Sequence, residues 1–190
     1  MKVLAISGSP RREGFTNRLL KEAVKGARSM GVRVETVFLN DLRFKPCQEC
    51  AGCDETGICV LNDDLRGIYK KLTSYERIIL SSPIFFGSIS AQLKMMIDRC
   101  QSLWAARYLL GKKIKAAKKR KGVFISTAGR DDDAGFENAR QIVNIFFTIL
   151  DMEYNDELFV AGMNKMQPSS PKTKAALKEA FLLGASLVKT

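Results

Sequence analysis

Three short runs, Val3-Leu4-Ala5-Ile6, Ile78-Ile79-Leu80 and Val123-Phe124-Ile125, are apolar at every position rather than at every second one. A strand with one solvated face alternates apolar with polar side chains, so these runs are strands covered on both faces, as in a parallel sheet between two helix layers. The rest of the chain keeps that rhythm. Strands are expected at Lys2–Ser7, Arg33–Leu39, Arg77–Ser82, Gly122–Thr127 and Glu153–Val160. Helices are expected between and after them at Thr16–Met30, Asp63–Ser74, Ser88–Ala106, Ala134–Leu150 and Pro171–Val188, the last opened by Ser169-Ser170-Pro171. Strict alternation of five strands and five helices predicts an α/β, doubly wound, five-stranded parallel sheet with helices on both faces. Such sheets bind ligands beyond the carboxyl ends of their strands, where strand order reverses. No internal repeat or Pro/Ser-rich linker divides the 190 residues, so one domain over residues 1–190 is expected, burying roughly 70% of its unfolded surface.

Composition removes several classes of function. There is no histidine, which excludes Ser-His-Asp and Cys-His nucleophilic sites, histidine acid–base work and histidine metal ligation. No apolar stretch approaches the ~18 residues that a bilayer span needs, and the N-terminal run is too short for a signal peptide. A cytoplasmic location with reduced thiols is the expectation. The net charge of +11 favours anionic partners: a phosphate-bearing ligand, an acidic electron carrier or nucleic acid. Much of the charge lies in Lys112, Lys113, Lys115, Lys118, Lys119, Arg120 and Lys121. That run has no interleaved aromatics, which argues against nucleic acid and for a solvated helix end and loop.

The loop Ser7-Gly8-Ser9-Pro10-Arg11-Arg12-Glu13-Gly14-Phe15-Thr16-Asn17 joins a buried strand to a helix and is rich in glycine, hydroxyls and positive charge. Backbone N–H groups at the helix start can cradle an anion, with Ser9, Thr16 and Asn17 as side-chain donors and Arg11 as the neutralising cation. The sequence lacks G-K-[S/T] and G-x-G-x-x-G, so a phosphate monoester such as that of FMN suits it better than a triphosphate or pyrophosphate. The alternative is an ordinary βα loop with Thr16 or Ser9 as helix cap. After the third strand, Pro83-Ile84-Phe85-Phe86-Gly87 can line a flat ring, and Thr127-Ala128-Gly129 lies in the loop after the fourth. Phe85 and Phe86 are otherwise core aromatics at a strand end.

Four of five cysteines fall in one stretch, Cys47-x2-Cys50-x2-Cys53-x5-Cys59, inside a loop at residues 45–62 after the second strand. Repeated C-x2-C spacing wraps thiolates around an iron–sulfur cubane, and a single compact loop can bring all four to one point. Gly52 and Gly57 permit turns with positive φ. Zinc, or a metal-free redox dithiol, is compatible with the same residues. Cys100, inside a helix, is a core residue.

Ser7-Gly8-Ser9-Pro10-Arg11…Gly14…Thr16-Asn17 together with Ser82-Pro83-Ile84-Phe85-Phe86-Gly87-Ser88…Gln92-Leu93-Lys94…Ile97-Asp98-Arg99 resembles the NADPH-dependent FMN reductase branch of the flavodoxin-like superfamily. Within that branch the cysteine stretch resembles the iron–sulfur flavoproteins. The resemblance runs from about Met1 to Leu150. It implies a flavodoxin-like fold, with Ser9, Arg11, Thr16 and Asn17 on the FMN phosphate and ribityl chain, and Pro83, Ile84, Phe85, Phe86, Gly87, Thr127, Ala128 and Gly129 on the isoalloxazine. It further implies a [4Fe–4S] cluster on Cys47, Cys50, Cys53 and Cys59, and a homodimer or higher homo-oligomer in which cluster and flavin approach across a subunit contact. Relatives commonly carry tyrosine where Phe85 stands, so one hydroxyl near the flavin is missing here. No side chain is assigned a catalytic role, because the flavin carries the chemistry. The leading expectation is a flavin-dependent oxidoreductase that exchanges electrons with a carrier such as ferredoxin. The alternatives are an NAD(P)H-dependent FMN or quinone reductase without a cluster, and a regulatory or scaffold module that has kept the fold.

Overall fold

Side chains of β1 (Lys2–Ser7) alternate between two separate cores: Val3 and Ala5 face one, Leu4 and Ile6 the other, and all four are fully buried. In the computed structural model of the protein the described residues are 1–112, 114, 119–130, 134–165, 167 and 169–189. The chain continues through α1 (Phe15–Ser29), β2 (Arg33–Phe38), α2 (Arg66–Ser74), β3 (Arg77–Phe85), β4 (Ser88–Ile89), α3 (Ala91–Arg99), α4 (Gln101–Tyr108), β5 (Lys121–Thr127), α5 (Ala134–Ile149), β6 (Glu153–Val160) and α6 (Pro171–Leu187). The main sheet runs β2-β1-β3-β5-β6, all parallel, so the central strands β1, β3 and β5 are the ones with unbroken apolar runs. The edge strands β2 and β6 are half exposed and carry the polar residues.

The expected five parallel strands are present and a sixth was not foreseen. β4 is two residues long and pairs antiparallel with the end of β3, Ile84 opposite Ile89 and Phe85 opposite Ser88. It folds the chain back on itself after the turn Phe86-Gly87, both residues of which have positive φ. The helix expected over Ser88–Ala106 is two helices. Ser90 caps α3 by accepting from the Leu93 N–H, and the chain bends at Cys100, whose carbonyl accepts from both Leu103 and Trp104. At the far end Ser170 caps α6 through the Thr173 N–H, with Pro171 in the first turn.

The basic run is not uniformly solvated. Lys113, Lys115 and Lys118 lie outside the described residues, and Lys119 makes a surface pair with Glu153 at 2.7 Å. Arg120 is buried, and its guanidinium donates to the carbonyls of Leu72, Tyr75 and Leu150. These carbonyls close the C-terminal ends of α2 and α5, where the last C=O groups of a helix have no partner within it. Burial pulls the Arg120 pKa down to about 10, so it still carries its charge at neutral pH.

One face of the sheet is covered by α1 and α6, which cross at two glycines. A Cβ on Gly184 would stand 1.9 Å from the Ala23 carbonyl oxygen, and one on Gly26 1.9 Å from that of Phe181. Backbone cannot yield as a side-chain tip can, so Gly184→Ala is expected to destabilise the fold by about 1–3 kcal/mol, read as a lower urea midpoint at unchanged slope. A midpoint equal to that of the parent would contradict this packing.

Candidate functional site

The β1, β3 and β5 strands end side by side, with Ser7 opposite Ser81 and Pro83 opposite Thr127, so the loops that follow them share one edge. The first loop is built from within. The Gly8 N–H donates to the Ser81 carbonyl at 2.8 Å, and the Ser90 hydroxyl donates to the Gly8 carbonyl at 2.6 Å. A side chain at Gly8 would collide with Leu93 and Ser90, so the loop lies flat on the start of α3. Asn17 is fully buried: its amide donates to the Arg11 carbonyl at 2.8 Å, and its Oδ1 accepts from the Ser7 hydroxyl at 2.5 Å. Thr16 and Thr127 share a hydroxyl–hydroxyl bond of 2.6 Å that ties the first loop to the third. Of the residues expected on the phosphate, Asn17 and Thr16 therefore shape the loop, Ser9 is buried within it, and Arg11 is exposed with no ion pair among the described residues.

Neither Thr16 nor Ser9 caps α1. The N-cap is Gly14, which has no side chain to satisfy the first-turn N–H groups. A helix start left uncapped beside a free arginine suits a phosphate dianion, and this is the observation on which the fit of an FMN phosphate rests.

Beside this loop lies a cavity of 370 Å³ lined by Ile84, Phe85, Phe86, Gly87, Ala128, Gly129, Arg130 and Gly135. The expected ring contacts at positions 84 to 87, 128 and 129 thus meet around one space, with Pro83 and Thr127 buried next to it in the sheet. Phe85 and Phe86 are not core residues. Phe85 is 43% exposed and Phe86 wholly so, and Phe86 has φ +50°, a conformation that is strained for an aromatic residue. Exposed rings on a strained turn at a cavity mouth present flat apolar faces to a planar ligand. The Asn138 amide donates to the Gly87 carbonyl at 2.9 Å and steadies the turn from α5. Arg130, which sequence reasoning did not single out, adds a cation to this wall.

The cysteine stretch builds a second cavity of 710 Å³. Cys47, Cys50, Cys53 and Cys59 all line it, together with residues from α3, α4 and α5. No lining residue is shared with the cavity at the strand ends. The positive-φ turns are not where glycine placed them, because of the expected pair only Gly57 adopts one. Glu49 and Ala51, on either side of Cys50, take the left-handed conformation instead, at φ +49° and +57°. A Cβ on Gly52 would stand 2.6 Å from a methyl of the exposed Val60, so that side chain would have to turn aside. Strain of this kind costs about 1–3 kcal/mol per residue and is held only where surrounding structure demands it. Lys112 Nζ donates to the Thr56 carbonyl at 2.8 Å and Gly57 packs on Ala106, which dock the loop on α4.

Burial, and then the neighbouring Asp54 carboxylate, push the Cys53 thiol upward. Among the described residues no three acidic or sulfur side chains converge as metal ligands, so the four thiols share a cavity without meeting at one point. The donor set is soft and suits iron–sulfur or zinc. Cys100 lies apart from it, fully buried, with its Sγ donating to the Met96 carbonyl and its pKa pushed by burial to about 12.

Behind the cysteines stands a charge that sequence reasoning left without a role. The Arg99 side chain is 0% exposed and lines the cavity, paired with Asp63 at 2.7 Å. Its Nε is the one buried side-chain nitrogen or oxygen without a hydrogen-bond partner among the described residues. Leaving such a group unmet costs roughly 1–3 kcal/mol or more. The signal available in the sequence was an arginine between Ile97 and Cys100 on the buried face of a helix.

A family model for NADPH-dependent FMN reductase matches residues 1–165. An iron–sulfur flavoprotein of Methanocaldococcus jannaschii is 38% identical over 152 residues, which cover 80% of this chain and 74% of that protein. One from Methanosarcina thermophila is 34% identical over 117 residues, or 62% of this chain and 61% of its own. Among solved structures, an NAD(P)H:quinone oxidoreductase from Methanothermobacter marburgensis shares the fold, with a TM-score of 0.76 at 19% identity over 100% of this chain and 97% of that one.

Proposed function

The chain belongs to the NADPH-dependent FMN reductase family, among the iron–sulfur flavoproteins, and from that premise we propose that it passes electrons between FMN and a [4Fe–4S] cluster on Cys47, Cys50, Cys53 and Cys59. As a flavin-dependent oxidoreductase it needs a partner for those electrons, and a chain of net charge +11 suits an acidic carrier of the ferredoxin kind. FMN supplies one- and two-electron chemistry, and a cluster moves electrons singly. The residues supply the rest. Arg11 and the uncapped start of α1 take the phosphate, while the Thr16–Thr127 and Ser90–Gly8 bonds hold the loops in register around it. Phe85 and Phe86 cover the ring and keep water from it, and Gly87, Ala128 and Gly129 wall the same cavity with little or no side chain to obstruct it.

The observation that carries the cluster is the second cavity, which gathers all four cysteines of one strained loop and is walled by a buried arginine. A homo-oligomer in which cluster and flavin approach across a subunit contact is part of this reading, as the resemblance to the iron–sulfur flavoproteins implies, and no residue lines both cavities within one chain.

Protein purified without oxygen and assayed for iron, zinc, acid-labile sulfide and FMN should hold iron and sulfide in equal amounts, about four of each per flavin for a cubane. Zinc or bare thiols beside the flavin would refute the cluster. The second reading is an NAD(P)H-dependent reductase with FMN as its only redox cofactor, in keeping with the family model that matches residues 1–165. Fast NADPH oxidation by iron-free protein would then replace the first reading.

A further inference from the structure

Arg99 closes α3 with its guanidinium turned toward the cysteine loop. Nη1 donates to the Lys45 carbonyl and to Asp63 Oδ2, each at 2.7 Å, and Nη2 donates to Asp63 Oδ1 at 3.2 Å. Asp63 is itself fixed by the backbone N–H groups of Lys45 and Leu65, each at 3.2 Å. The fork is thus spent on one side, the cation cannot swing away, and Nε–H is left unpaired in a residue that walls the cysteine cavity. Buried donors of this kind are met by a partner in the working protein.

We propose that Arg99 Nε–H donates a hydrogen bond to sulfur of the cluster bound by the cysteines and thereby raises the potential at which that cluster accepts an electron. The inference rests on the cluster reading above. Arg99 lines one cavity with all four cysteines, and Cys59 as a thiolate ligand would stand among the groups whose charge bears on it. Hydrogen bonds to sulfur and the net charge nearby set cluster potentials. One added electron raises the negative charge on sulfur, so an N–H···S bond strengthens on reduction. Arg99 keeps its proton throughout, and no covalent bond forms or breaks. Arg99 is in this sense a positioning and tuning residue. Tyr69, whose hydroxyl donates to the Arg99 carbonyl at 3.1 Å, braces the same helix end.

Arg99→Lys keeps a cation for Asp63 and removes Nε–H. The variant should hold iron, sulfide and FMN as the parent does. At the parent's midpoint its ratio of oxidised to reduced cluster should rise from one to about ten, which for one electron is a midpoint lower by about 59 mV. An unchanged midpoint in a variant with full iron content overturns the proposal. A second measurement does not depend on the variant surviving: pulsed EPR of reduced parent protein labelled with 15N at arginine Nε should show a single 15N coupling to the cluster. Absence of that coupling overturns the proposal whatever the variant does. A parent free of iron and sulfide refutes the cluster reading and this inference with it, whereas iron present without the coupling refutes the inference alone.

Discussion

Replacing Cys50 by alanine is expected to strip iron and acid-labile sulfide from the protein while FMN stays bound. Cys50 is exposed, so its thiol contributes little packing, and surface substitutions of that kind change stability by about 0.5 kcal/mol or less. Its backbone is held in place by Glu49 and Ala51 in left-handed conformations on either side, and the turn around it survives the change. What would be lost is one of the four soft ligands proposed for the cluster. The cavity proposed for the flavin shares no residue with the cysteine cavity, and the loops beside it are fixed by the Ser7–Asn17, Ser90–Gly8 and Thr16–Thr127 bonds, which the substitution does not touch. Cys100→Ala should do the reverse: the buried thiol leaves a void and lowers the urea midpoint, yet iron and sulfide remain. Iron retained at full content in the Cys50 variant, with sulfide, would remove that residue from the ligand set.

The parts legible in the sequence are those where burial alone decides. β1, β3 and β5 are covered on both faces and so carry unbroken apolar runs, and their spacing predicts a parallel sheet with its binding edge at the loops after Ser7, Ser82 and Thr127, although β3 runs on to Phe85. The start of α6 is marked by local chemistry, Ser170 and Pro171, which acts within one turn. Hidden features depend on contacts distant in sequence. The break at Cys100 leaves no mark because the apolar period runs straight across it, Met96 and Cys100 before and Ala105 after all being buried. Arg120 looked like one more solvated cation, and only the meeting of the ends of α2 and α5 gives it three carbonyls. Asn17 looked like a phosphate donor because its type and place fit, but the fold turns it inward to Ser7 and Arg11. The left-handed turns fall on Glu49 and Ala51, residue types that give no local sign of that conformation.

Asp63→Asn is expected to cost more stability than any other single change considered. Arg99 would keep its charge with 0% exposure of the side chain and lose its counter-ion, and breaking a buried pair from one side costs about 3–5 kcal/mol. The same pair makes the parent sensitive to acid. Burial raises the Asp63 pKa, but the hydrogen bond from Arg99, those from the Lys45 and Leu65 N–H groups and the nearby positive charge outweigh it, and the carboxyl ends below its ordinary value. A carboxyl whose folded pKa is depressed contributes stability that is fully present above the unfolded value of about 3.9 and disappears as pH falls through the folded one. Urea midpoints should therefore decline for the parent below about pH 4, and that decline should be shallower in Asp63→Asn, which starts lower and has no proton to gain at this site. A variant within about 1 kcal/mol of the parent at pH 7 would mean that Arg99 reaches water when its partner is removed. The wall of the cysteine cavity would then be softer than the geometry of Arg99, Asp63 and Lys45 shows it to be.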